Sequence, residues 1–108
     1  MTSKEKDLMA TFARVAPQFH QLTSKVLFEQ VWRDESLSLR DRSLITVTAL
    51  VALNRMEQLP GHLERALDNG LSKEELSAAV THLAFYAGWP VTASAIERLD
   101  DINGLRTY

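Results

Sequence analysis

The chain has 108 residues, a formal net charge of -2, 45% hydrophobic residues and no cysteine. That length supports one domain with one core, leaving roughly a third of the extended surface exposed, so two domains are excluded. The lack of thiols rules out disulfides, thiolate metal sites and cysteine redox chemistry, and the interspersed charges offer no basic stripe for a phosphate backbone, so nucleic acid is not an expected partner.

No apolar segment reaches the roughly 18 to 20 residues of a membrane span, and MTSKEKDLMATFARV mixes acids with lysines and has no signal-peptide block; the expected address is cytoplasmic. Ser3 reads as an N-cap, and Leu8, Met9, Phe12 and Val15 recur at helical spacing up to about Ala16. Pro17 punctuates the chain. From Gln18 to Trp32, Phe19, Leu22, Val26, Leu27, Val31 and Trp32 predict a second helix with one stripe turned inward. Arg33 to Ser36 has no apolar period and reads as a connector.

The stretch from Ser38 to His62 organises the rest. Ser38 or Asp41 can cap its helix. Leu44, Ile45, Val47, Ala49, Leu50, Val51, Ala52 and Leu53 leave no wide polar face, and a helix apolar almost all round must be surrounded, by neighbours or by other subunits. It is expected to end near Asn54. Arg42 near its start and Arg55, Glu57, Gln58 and His62 beyond its end are then polar groups attached to a buried rod. Pro60 suits the first turn of a fourth helix, with Leu59, Leu63, Ala66 and Leu67 on its apolar face and Gly70 as its stop.

Ser72-Lys73-Glu74-Glu75 is a capping box, predicting a helix from about Lys73 to Ala87 with Leu76, Ala79, Val80, Leu83, Phe85 and Tyr86 as apolar members, closed by Gly88. Pro90 begins a last helix through Ala93, Ala95, Ile96 and Leu99, ended by Asn103-Gly104. The expected class is all-α, with about six helices, no strand and no repeat.

The run LSLRDRSLITVTALVALNRMEQLPGHLERALDNGLSKEELSAAVTHLAFYAGWP, residues 37–90, resembles the carboxymuconolactone decarboxylase family, which includes the alkyl hydroperoxidase D-like proteins. The resemblance implies a single all-helical domain over 1–108, assembling as a homotrimer or a hexamer, with pockets near the end of the central helix. The peroxidase branch carries C-x-x-C-x-x-x-H at this turn and a glutamate on the preceding helix. Counting back from His62, those positions hold Arg55, Gln58 and Ser43. Without sulfur, thiol peroxidase chemistry is excluded. The decarboxylase branch resembles R-x-x-E-L-x-x-H, and here Arg55, Gln58, Leu59 and His62 stand in that register. Gln58 departs from it, because an amide cannot pass a proton as a carboxylate does; Glu57 is the nearest acid.

On this reading the expected activity is that of a lyase on a small cyclic or lactone carboxylate, with catalytic His62 as general acid–base, Arg55 as carboxylate clamp and Gln58 as orienting hydrogen bonder. Arg42, Glu57, His82 and Tyr86 are substrate-binding candidates; no cofactor is expected. The alternative is a non-catalytic small-molecule-binding or assembly protein on the same scaffold. Each residue also has a structural reading. His62 can bond a backbone group at a helix start, Arg55 can bridge subunits, and Arg42 can pair with Asp41. His82 and Tyr86, four apart, can satisfy one another, and Trp32, Trp89 and Phe12 can serve as core or subunit contacts. Three scattered histidines without cysteine do not suggest a metal site.

Overall fold

The structure, a computed structural model, describes residues 3–106, with side chains for 4–102. Its helices are α1 (Ser3–Val15), α2 (Pro17–Gln21) continued by a π-helical stretch (Leu22–Val31), α3 (Leu39–Ala52), α4 (Leu59–Asp68), α5 (Lys73–Ala87) and α6 (Trp89–Arg106). No strand occurs among the described residues, so the class is all-α as read. The chain divides into two compact units, Met1–Leu39 and Arg40–Tyr108.

In the first unit Pro17, which lacks an N–H, opens α2. Phe12 and Phe19 meet edge to face, ring centroids 4.9 Å apart, and join α1 to α2. The expected second α-helix is only partly α. From Leu22 the turns widen, and the Trp32 N–H donates to the carbonyl of Leu27, five residues back, at 2.9 Å. The inward stripe also fails to find cover, since Phe19, Leu22, Val26, Leu27 and Val31 are all exposed. In the connector the Asp34 carboxylate accepts from the Ser36 N–H at 2.9 Å and from its hydroxyl, a turn closed by its own side chain. Ser3 as an N-cap lies outside the described side chains.

The second unit holds the core. Val47 and Val51 of α3, Leu59, Leu63 and Ala66 of α4, Leu71, Leu76 and Val80 of α5, and Ala95, Leu99 and Ile102 of α6 form one buried cluster. Only one stripe of α3 enters it, because Ser43, Val47 and Val51 are buried at steps of four. Ile45 and Leu53 stay exposed, so the rod read as surrounded is covered on one side within the single chain.

Local chemistry stops and starts these helices. Gly70, at φ 105°, closes α4 with its N–H on Leu67 and that of Leu71 on Ala66, a Schellman pair. The capping box of α5 is complete: Glu75 N–H donates to Ser72 Oγ at 3.0 Å and Ser72 N–H to Glu75 Oε1 at 2.9 Å. Gly88, at φ 107°, turns the chain into α6, which the buried Thr92 hydroxyl ties to α5 by donating to the Val80 carbonyl at 3.2 Å. Helix α6 passes the expected stop at Asn103-Gly104 and runs to Arg106. A glycine inside a helix costs only about 1 kcal/mol, so the signal is a preference that four preceding turns can override. No helix among the described residues is long and apolar enough to cross a membrane.

Candidate functional site

Asn54 is the residue that ends α3. Its φ of 58° is left-handed, its N–H donates to Val51 at 3.0 Å, and the next N–H, on Arg55, donates to Leu50 at 2.8 Å. Asparagine is among the few side chains that adopt this conformation readily. The chain leaves α3 here and turns through Arg55 to Gln58 before Leu59, fully buried, anchors the start of α4. Pro60 stands in the first turn of that helix, and Gln58 occupies its N-cap position without making a side-chain cap.

Arg55, Glu57 and Gln58 are exposed, whereas His62, one helical turn beyond Gln58, is half-buried and makes an interaction within the protein. Eight consecutive residues therefore present a guanidinium, a carboxylate, an amide and an imidazole around the positive end of α4. These groups can hold an anion and exchange a proton.

The other candidates stand on α3 and α5. Asn69 Nδ2 donates to Ser43 Oγ at 3.0 Å, so the start of α3 lies against the end of α4. Arg42, beside Ser43, is thus at the far end of that antiparallel pair from His62, about 15 Å along α3 from the turn at 1.5 Å per residue. Its Nε is buried without a hydrogen-bond acceptor, while the residue keeps other contacts. His82 and Tyr86 do meet, ring centroids 5.0 Å apart and tilted by 31°, but on an exposed face of α5 rather than in the interior. Phe85 and Trp89 pack edge to face beside them at 5.7 Å. A shallow hollow of about 360 Å³ at the connector is lined by Trp32, Arg33, Asp34, Glu35, Leu37, Ser38 and Leu39, and contains none of the candidates. Among the described residues no three His, Asp or Glu side chains gather as a metal-holding group.

One charged cluster was not read from the sequence. Arg40 donates to Asp41 Oδ1 at 2.8 Å and to Glu75 Oε2 at 2.6 Å, so the capping-box glutamate of α5 also holds the first turn of α3. The Ser72 backbone N–H, and then the Arg40 guanidinium, hold the Glu75 carboxyl below its usual range. The hydrogen bonds that Arg40 donates to Glu75 and to Asp41 raise its own pKa in turn.

Residues 17–101 match the carboxymuconolactone decarboxylase family. The chain belongs to that family. The match extends the resemblance read at 37–90 in both directions, taking in α2, the π-helical stretch and most of α6. The 4-carboxymuconolactone decarboxylase of Acinetobacter baylyi is 32% identical over 84 residues, covering 78% of this chain and 63% of that protein. The nitrosuccinic acid decarboxylase of Metarhizium robertsii is 29% identical over 76 residues, covering 70% of this chain and 53% of that protein. The chain therefore spans between about half and two thirds of the length of these curated relatives.

Proposed function

We propose that the protein is a decarboxylase-like lyase that removes carbon dioxide from a small acid, working at the turn between α3 and α4 as a homo-oligomer. Both relatives are named decarboxylases, and that agreement on reaction type across two substrates carries the reading. When the carbon–carbon bond to the carboxylate breaks, its electron pair stays on the substrate carbon and carbon dioxide leaves. That pair needs an acceptor group next to it in the substrate, and afterwards a proton. His62 delivers the proton as an imidazolium and regains one from solvent, a role imidazole fills near neutral pH.

The same chemistry restricts Arg55. A guanidinium on the departing carboxylate would stabilise the ground state against a neutral product and slow the reaction. Arg55 therefore clamps a second anionic group that stays with the product, so the substrate carries one acid to lose and one to be held. Nitrosuccinic acid, named for one relative, is such a diacid. Gln58 orients the substrate through its amide, and Glu57 is the carboxylate within reach of the same turn. Arg42, at the far end of α3 from the turn, joins the pocket only if a neighbouring subunit brings it, and His82 and Tyr86 on α5 are further candidates to touch the substrate.

The test is release of carbon dioxide from 4-carboxymuconolactone and from nitrosuccinate. His62→Ala should lower turnover by about 10²- to 10⁴-fold with the assembly unchanged by light scattering, and Arg55→Met should act mainly on KM. No release by wild type or by Gln58→Glu overturns the lyase reading. The exposed amide at Gln58 favours one second reading, a binding protein on the decarboxylase scaffold: ligands then raise the melting temperature without being consumed.

A further inference from the structure

Between Val51 and Leu59, both without solvent exposure, the chain leaves the core and returns to it. Of residues 52–58 all but Met56 are exposed, and Met56 is half-buried and packs against the buried cluster. The Asn54 and Arg55 N–H groups, on Val51 and Leu50, fix the near end of this excursion, and Leu59 fixes the far end. Met56 ties down its middle. An unbranched thioether suits the place, because its three side-chain torsions let it fill an irregular gap. The chain has no cysteine and its methionines are Met1, Met9 and Met56, so this thioether is also the one sulfur of the Arg40–Tyr108 unit.

We propose that Met56 is a positioning residue that sets its neighbour Arg55 for the anionic group it clamps, and that its thioether makes this setting sensitive to hydrogen peroxide. The inference deepens the function proposed above, on which its kinetic test rests. In the reaction the sulfur lone pair attacks one peroxide oxygen, and an S–O bond forms as the O–O bond breaks. The departing hydroxide collects the proton of the attacked oxygen and leaves as water. Sulfur is oxidised by two electrons and the peroxide is reduced by two. The resulting sulfoxide is polar, and returning it to the apolar cluster leaves its oxygen without a donor. The turn then releases from the core and Arg55 loses its fixed geometry. His62 keeps its place, because α4 remains anchored by the buried Leu59 and Leu63. Oxidation therefore acts on substrate affinity rather than on the chemical step.

Wild type, Met56→Leu, Met56→Gln and Arg55→Met would be compared before and after hydrogen peroxide, with the sulfoxide located by peptide mass mapping and carbon dioxide release measured from 4-carboxymuconolactone and nitrosuccinate. Oxidised wild type and untreated Met56→Gln should each show KM raised about ten-fold, the worth of a hydrogen bond to a charged group, with kcat within about two-fold. Met56→Leu, which keeps the apolar contact and has no sulfur, should hold the wild-type KM through the treatment. Added to Arg55→Met, Met56→Gln should change KM by less than about two-fold, because the group it positions is gone. A KM unmoved by Met56→Gln, the full further rise in the double variant, or an equal loss to peroxide in Met56→Leu overturns the proposal. Limited trypsin digestion reads the same turn without substrate. The bond after Arg55 should be cut about ten-fold faster in Met56→Gln and in oxidised wild type, and the bond after Arg33 at an unchanged rate. If wild type releases no carbon dioxide, the lyase reading falls and digestion decides this one, an unchanged rate after Arg55 overturning it. Should Met56→Gln not fold, oxidised wild type against peroxide-treated Met56→Leu is read in its place.

Discussion

Residues 3–39 and residues 40–106 are both helical nearly throughout, yet every fully buried side chain described lies in the second set. A helix satisfies its peptide groups within its own segment, whether the bonds reach back four residues, as from Ala16 to Phe12, or five, as from Trp32 to Leu27. Helical form therefore needs no core. Stability does, because isolated helices of this length are marginal and draw their free energy from burying a face. The second unit satisfies both conditions inside one chain. The first meets only the one that local sequence can meet.

The largest expected effect lies in the second unit. Leu63→Ala, at a position with no solvent exposure, should cost about 2–5 kcal/mol in urea denaturation, independent of protein concentration. Phe19→Ala should cost far less at dilutions where light scattering shows single chains, and more as the protein concentration rises. If the two substitutions cost the same in dilute protein, the contrast between the units is wrong, and the N-terminal helices have a core of their own.

What the sequence revealed divides along the same line. The capping box at Ser72 and Glu75, the stop at Gly70 and the turn at Gly88 were all legible, because each is decided by residues within a few positions of one another. So was the placing of His62 in the opening turns of a helix, which Pro60 announces. Arg40 was not, since the acid it holds on α5 is 35 residues away. The periodicity of Phe85, Tyr86 and Ile45 identified apolar positions but not what covers them. Spacing reports the face, and only tertiary or quaternary structure supplies the other side. The π-helical stretch did leave a trace: Leu22, Val26, Leu27 and Val31 recur by fours and fives rather than threes and fours.

Two substitutions sharpen the account of the second unit at smaller cost. Asn54→Ala forces a side chain with no local hydrogen bond into the left-handed region and should lose about 1–2 kcal/mol, while Asn54→Gly should be close to neutral. Because Asn54 launches the turn that holds Arg55 and Gln58, the alanine variant should also lose substrate affinity. Calorimetry and a binding titration on the same samples separate the two effects. Ser72→Ala removes the cap of α5 and should lower stability by about 1 kcal/mol, with no change at the α3–α4 turn.

The smallest effect is the pH dependence of the link between α3 and α5. Glu75 is held below its ordinary value of 4.5, first by the Ser72 N–H and then by Arg40, so the folded state favours its charged form. A carboxylate depressed on folding adds stability that is fully present above the unfolded value and is lost as pH falls through the folded one. Wild-type protein should therefore hold its advantage over Glu75→Gln from neutrality to about pH 5 and surrender it in more acid solution, where the two melting curves converge. The pair with Arg40 is exposed and weakens with salt, whereas the bond from the Ser72 backbone N–H is local to the cap. Molar salt should accordingly shrink the advantage without abolishing it. Arg40→Met should remove the salt-sensitive part alone, and an advantage that vanishes entirely in salt would assign the depression to Arg40 rather than to the cap.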